Sequence, residues 1–244
     1  MAMSTYDAIA EWYDDWVGPD AMDEDPAFRA VELLTGTVAG LRVCDLGCGQ
    51  GRTSRRLADL GARVTGVDLS TNMLEIARRH EQGKPRGIEY LHADARNLES
   101  VANATFDGVV CFLALMDISD LVPVARGIVR VLRPGGWFVF TITHPCYKTP
   151  RSGELPTPAG WIRTVGSYFS EGYWRSDDGP GPPGKVGAYH RTLSTYLNTM
   201  LEAGLILERI SELPLTGTAA ERRPVWAEVP ITLIARFRTN SRGA

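Results

Sequence analysis

Three glycines at alternate positions, Gly47, Gly49 and Gly51, close a short apolar run in the stretch VCDLGCGQG. Glycine costs backbone entropy and packs nothing, so such a cluster marks a turn that something approaches closely. Two carboxylates end the next two apolar runs, Asp68 in VTGVDLS and Asp94 in LHADAR. Asp68 lies 19 residues past Gly49, where an acidic group can accept both hydroxyls of a ribose. A nucleoside laid across the strand ends would then meet Asp94 at its adenine amino group. Asp45, inside the glycine motif, either orients the turn or contacts a ligand's ammonium. A strand-end Asp often does no more than cap the next helix. Three at consecutive strand ends, together with the glycines, favour a ligand. The spacing G-x-G-x-G departs from the G-x-G-x-x-G of dinucleotide sites and counts against a nicotinamide-dependent oxidoreductase.

These residues need a scaffold, and the chain supplies one. From residue 41 short apolar runs alternate with helical patterns, the mark of βαβ units and a parallel α/β sheet. LRVCDLG, ARVTGVDLS, IEYLHAD, FDGVVCFLAL and GWFVFTIT read as five strands. Helices are expected over 52–60, after a cap at Ser70 or Thr71, and over 119–132 up to RPGG. Met73, Ile76, Ala77 and His80 share one helical face; His80 and His92 read as structural. LILERISELP and EVPITLIARFR read as closing strands, and YDAIAEWYDDW as an amphipathic helix outside the sheet.

Residues 144–188 break the rhythm, with 7 of the 15 prolines, 8 of the 25 glycines and 6 of the 21 aromatics. A passive linker would be poor in aromatics, so this segment reads as an irregular cap, with a hairpin expected in TVGSYFSEGYWR. HRTLSTYLNTMLEAG then forms a helix that begins at His190, buries Leu193, Tyr196, Leu197, Met200 and Leu201, and ends at Gly204. The expected organisation is an N-terminal helical lid over 1–40, a core over 41–143, the cap over 144–188 and closing elements over 189–244.

Composition sets the outer bounds. The 244 residues are 44% hydrophobic and 23% charged with a net charge of −3, an ordinary globular balance. No apolar run is long enough to cross a membrane, and the acidic N-terminus is unlike a signal peptide, which points to the cytoplasm. Cys44, Cys48, Cys111 and Cys146 lack C-x-x-C spacing and read as buried thiols rather than metal ligands. The absence of a Lys or Arg run argues against nucleic acid as a partner.

In order and spacing, VCDLGCGQG, VTGVDLS, HADAR, FDGVVCFLAL and LRPGGWFVFTITHPCY resemble the motifs of class I S-adenosylmethionine-dependent methyltransferases. LMDI, THPCY, HRTLSTYLN and the N-terminal helix look like bacterial enzymes acting on small molecules, natural-product tailoring enzymes included. The resemblance implies a three-layer Rossmann-like fold whose seven-stranded sheet takes its last strand antiparallel beside the fifth. It implies S-adenosylmethionine as cofactor, with Asp45, Gly47, Cys48, Gly49 and Gly51 along its methionine part. Asp68 would hold the ribose, Leu69 and Met73 the adenine face, and Asp94 and Ala95 the adenine edge. Phe112 or Leu113 would sit beside the sulfonium, and Tyr13 would close over the cofactor.

Methyl transfer is an in-line displacement, so the enzyme must align the nucleophile, exclude water and sometimes take a proton. His144 after the fifth strand is the first candidate for that proton, followed by Asp117 after the fourth strand and His190. Each also has a plain structural reading: a loop anchor for His144, a helix cap for Asp117, a helix end for His190. Tyr6, Tyr13, Met116, Tyr147, Tyr168, Tyr173 and Trp174 either line the acceptor pocket or pack structurally, the cap aromatics in a core of their own. Acceptors on RNA or protein, and a cofactor-binding protein of this fold catalysing another reaction, stay open beside a small-molecule methyltransferase.

Overall fold

The computed structural model describes residues 4–18, 25–158, 160–176, 181–222 and 224–241; parts of the expected lid and cap fall outside these. Its strands are β1 (Arg42–Leu46), β2 (Arg63–Asp68), β3 (Glu89–His92), β4 (Phe106–Phe112), β5 (Leu132–Thr143), β6 (Gly153–Thr157), β7 (Gly160–Thr164), β8 (Gly172–Trp174), β9 (Ala188–His190), β10 (Ile206–Leu213) and β11 (Thr232–Arg238). The helices are α1 (Ala10–Val17), α2 (Pro26–Thr35), α3 (Arg52–Asp59), α4 (Thr71–Gly83), α5 (Leu121–Val131), α6 (Pro182–Lys185), α7 (Leu193–Glu202) and α8 (Gly217–Arg222). Seven strands form one sheet in the order β10-β11-β5-β4-β1-β2-β3, with β11 antiparallel to both neighbours and the other pairs parallel.

Alternation along the central strands builds a core on each face. On β5, Phe138, Phe140 and Ile142 join one cluster, while Trp137 and Val139 join the other. The first cluster is covered by Val124 and Ile128 of α5 and Met200 of α7, the second by Phe28, Val31 and Leu34 of α2 and Leu57 of α3. Polar side chains start the helices where the sequence changes period. Ser70 accepts from the Met73 amide at 3.1 Å, Asp120 from Val122 at 3.0 Å and Thr192 from Thr195 at 3.3 Å.

Several expectations are corrected. The segment 1–40 is not all lid, because α2 buries Phe28, Val31 and Leu34 against the sheet. No hairpin forms within TVGSYFSEGYWR: β6 pairs with β7 ahead of it, and β8 pairs with the later β9. The left-handed Ser167 (φ 56°) turns the chain between them. His190 closes β9, and the next helix begins three residues later, at Leu193, behind its cap Thr192. Leu201 is 43% exposed and leaves the buried stripe of that helix. The cap aromatics are not all covered either, since Trp161 and Phe169 lie 61% and 88% exposed. Among the described residues no helix is long and apolar enough to cross a membrane.

Candidate functional site

The sheet reverses its order between β1 and β4, and at the carboxyl ends of those strands such sheets open a crevice. The glycine turn after β1 forms its floor. Gly47, Gly49 and Gly51 all adopt left-handed φ (73°, 54° and 80°), each for a different purpose. A Cβ on Gly47 would fall 2.5 Å from Ala114 Cβ, and one on Gly51 would strike the Tyr90 side chain. A Cβ on Gly49 would meet no protein atom within 4 Å, so this glycine keeps open space. The Gly47 and Cys48 amides donate to the Val67 carbonyl at 2.8 and 3.0 Å, tying the turn to β2.

Asp68 completes that tie. Its Oδ2 accepts from the Gly49 amide and its Oδ1 from the Ser70 amide, each at 2.8 Å. Burial pushes its pKa up while the backbone donors pull it down. Each carboxylate oxygen has a second lone-pair site, so both can also accept from a ligand.

Gly47, Cys48, Gly49, Asp68, Leu69, Met73, Asp94, Ala95, Phe112, Leu113 and Tyr13 line one cavity of about 290 Å³. Two expected members do not. Gly51 is the left-handed residue that starts α3 and faces Tyr90 instead. Asp45 is 1% exposed beneath the floor, where Ser54 Oγ donates to its Oδ2 at 2.5 Å and Oδ1 has no partner among the described residues. Burial pushes the Asp45 pKa up to about 7, and its link to α3 fits the turn-orienting alternative. Asp94 carries a partner the sequence reading omitted, Arg96, whose guanidinium Nη2 lies 2.6 Å from Oδ2 and holds its pKa low.

A second cavity of about 170 Å³ adjoins the first, and Tyr6, Tyr13, Leu113 and Asp117 line both. Tyr6 Oη donates to Asp117 Oδ2 at 3.0 Å, and burial pushes the Asp117 pKa up to about 7. The cap of α5 is Asp120, so Asp117 is free of that duty. Leu113 has φ 52°, a conformation non-glycine residues seldom adopt, and its amide bonds the Thr141 carbonyl at 2.9 Å. Arg191, unmarked by any sequence signal, donates to the carbonyls of Leu115, Ile118 and Ser119 at 3.4, 2.6 and 2.9 Å. It thereby pins the turn that bears Asp117.

The structure corrects the leading candidate for the base. His144 Nδ1 accepts from the Cys146 amide at 3.1 Å, so Nε2 carries the proton and donates to Glu212 Oε1 at 2.8 Å. Both nitrogens are used, and His144 lines neither cavity. His190 borders the second cavity, but its Nε2 lies 2.8 Å from the Tyr168 carbonyl. Tyr147 packs edge-on against Trp226 with ring centroids 5.4 Å apart, and Tyr168 Oη accepts from the Leu193 amide at 3.0 Å. Neither tyrosine lines either of these two cavities; each ties the cap down instead. Met116 and Trp174 line the second cavity, whereas Tyr173 lines the first and donates to the Val186 carbonyl at 3.0 Å. Lys148 and Tyr189, absent from the sequence reading, also border the second. His144→Ala should keep turnover within about threefold yet lose about 1 kcal/mol of stability, since the half-buried Cys146 amide loses its acceptor. Urea denaturation beside a turnover assay separates the two effects.

The described chain superposes on a solved S-adenosylmethionine dependent methyltransferase from Mesorhizobium loti with a TM-score of 0.77. That protein is 32% identical, with 89% of this chain and 100% of the other covered. The chain belongs to the S-adenosylmethionine-dependent methyltransferases. The family model for a methyltransferase domain matches residues 44–140. A putative S-adenosylmethionine dependent methyltransferase from Listeria monocytogenes is 25% identical with a TM-score of 0.71, covering 88% of this chain and 98% of that one. Among curated sequences, a ubiquinone biosynthesis O-methyltransferase of Bordetella avium is 35% identical over 122 residues, 50% of this chain and 49% of its own. The chain thus spans about half the length of the curated relatives it matches. S-adenosylmethionine is the cofactor of this methyltransferase family.

Proposed function

We propose that this chain transfers a methyl group from S-adenosylmethionine in the first cavity to an oxygen or nitrogen of a small molecule in the second. The observation that carries the reading is Asp117, which lines both cavities at their junction. The cofactor supplies a methyl carbon activated by its sulfonium. Asp68 holds the ribose hydroxyls with the lone pairs its backbone donors leave free, and Gly49 leaves space for the methionine part. Arg52, at the start of α3 and on the cavity wall, offers a cation to the methionine carboxylate. Tyr6 and Tyr13 line both cavities, where they would help exclude water and their rings would suit a positive sulfur. With an acceptor hydroxyl attacking that methyl carbon and the cofactor's sulfide as leaving group, Asp117 would take the hydroxyl proton. A neutral amine acceptor would need Asp117 only to orient it.

The O-methyltransferase names of the curated relatives favour oxygen. A second cavity bordered by Trp174, Tyr189 and Tyr196 favours a small aromatic acceptor, such as a secondary metabolite, over an RNA or protein chain. Four cysteines outside any disulfide accord with action in the cytoplasm. The test is joint appearance of methylated product and S-adenosylhomocysteine when cofactor and hydroxyaromatic acceptors are supplied. Asp68→Ala should weaken S-adenosylhomocysteine binding by roughly 2–3 kcal/mol in calorimetry, since two charge-assisted hydrogen bonds go unmade. Unchanged affinity in the folded variant would remove the cofactor from this cavity.

A further inference from the structure

The charges that border the second cavity do not balance. Among the described residues its one acidic side chain is Asp117, already hydrogen-bonded to Tyr6. Two cations share the lining with that single carboxylate. Arg191 is 8% exposed, spends its donors on backbone carbonyls and lies over the Tyr189 ring at 5.3 Å. Lys148 is half-buried, and among the described residues its ammonium has no hydrogen bond and no acidic partner. Burial lowers the lysine pKa, and the nearby guanidinium of Arg163, itself paired with Glu154 at 3.9 Å, adds to that effect. Holding a half-buried ammonium with no acidic partner of its own costs free energy, a cost that a bound anion would offset. Lys148 borders the second cavity and not the first, so the methionine carboxylate is not its partner. The rest of the lining is mostly apolar and aromatic, with Met116, Trp174, Tyr189 and Tyr196 around the space beside Thr143 and His190.

We infer that the acceptor is an aromatic acid, with its ring between these apolar side chains, its carboxylate on Lys148 and its reacting hydroxyl toward Asp117. This rests on the methyltransferase reading above and names the acceptor class for the same site. The two anchors differ in kind. Asp117 selects a group that gives up a proton, and Lys148 selects a group that has already lost one. An ester or amide of the same molecule leaves the ammonium unpaired, so discrimination comes from the cost of that unmet charge as much as from the new contact.

The test measures binding to the chain saturated with S-adenosylhomocysteine. The probes are hydroxybenzoates, hydroxycinnamates and hydroxynaphthoates, each beside its methyl ester, in calorimetry at pH 7.5. At least one acid should bind about 10- to 100-fold more tightly than its ester. Lys148→Met should bring that ratio to about one, Lys148→Arg should keep most of it, and both should bind S-adenosylhomocysteine as the parent does. The acid–ester comparison in the unaltered chain stands whether or not the variants fold. If the chain binds S-adenosylhomocysteine but no acid outbinds its ester, or Lys148→Met keeps the preference, the inference is overturned and the methyltransferase reading survives. Failure to bind S-adenosylhomocysteine at all would instead overturn that reading, and this inference with it.

Discussion

Asp117→Asn should lower turnover of a hydroxyl acceptor by about 10²–10⁴-fold and leave cofactor affinity within about twofold. An amide can still accept from Tyr6 Oη, so the contact between the N-terminal turn and the end of β4 survives. What disappears is the ability to take a proton at the junction of the two cavities. The carboxyl, pushed up to about 7 by burial, is protonated in mild acid and becomes a base only above that. The kcat/KM of the parent should therefore rise with pH through about 7 and level off, and the variant's residual rate should lack that rise. Stability runs the other way. A carboxyl whose pKa is raised on folding contributes stability below its ordinary range near ~4, and that contribution is lost as pH rises through about 7. Asparagine has nothing to lose there, so at pH 8 the variant should be at least as stable as the parent. Lost activity with undiminished stability places the defect in the chemistry. Full turnover with a hydroxyl acceptor would mean that Asp117 takes no proton.

Gly49→Val should leave a folded chain that no longer binds the cofactor measurably, a loss beyond about a hundredfold or ~2.7 kcal/mol. The added side chain meets no protein atom near its Cβ, and Gly49 lines the first cavity, so the new atoms take space the ligand needs. Valine also resists a φ of 54°, adding strain of roughly 1–2 kcal/mol to the turn. Gly47→Ala makes the contrast. Its Cβ would collide with Ala114 at 2.5 Å, so this variant should fail by unfolding at lower denaturant rather than by binding alone. Thermal denaturation and calorimetry on both variants check the distinction. If Gly49→Val binds S-adenosylhomocysteine normally, the middle glycine is there for the turn alone.

The five parallel strands were legible because each is an apolar run closed by turn chemistry, and period decides such elements. The first cavity was largely legible for a related reason. Asp68, Asp94 and the glycines lie at strand ends, and a parallel sheet gathers its strand ends into one place. The second cavity was not. Tyr147 and Tyr168 have the composition of a binding wall, yet one packs on Trp226 and the other accepts from the Leu193 amide. Aromatic content alone does not say which way a ring faces in a segment without period. His144 misled for a similar reason, because the carboxylate that engages it, Glu212, lies 68 residues away on β10. Helix α2 was included in the expected lid over 1–40, whereas its Phe28, Val31 and Leu34 pack on the sheet.

The short strand β9 carries Ala188, Tyr189 and His190 along the second cavity, the first two bordering the first cavity as well, and the next residue, Arg191, clamps the turn bearing Asp117. On the proposed reading, recognition and reactivity are therefore written into four consecutive codons. A family that drifts toward new acceptors by remodelling β9 shifts the clamp as well, and with it the place where the proton is received. Changes of substrate preference along this lineage should thus tend to travel with changes in the pH at which the enzyme works. Lineages that keep that pH constant while changing acceptor would have to vary the opposite wall, around Met116 and Trp174. A library randomised at those two sites should yield more active variants with altered acceptors than an equal library over 188–190.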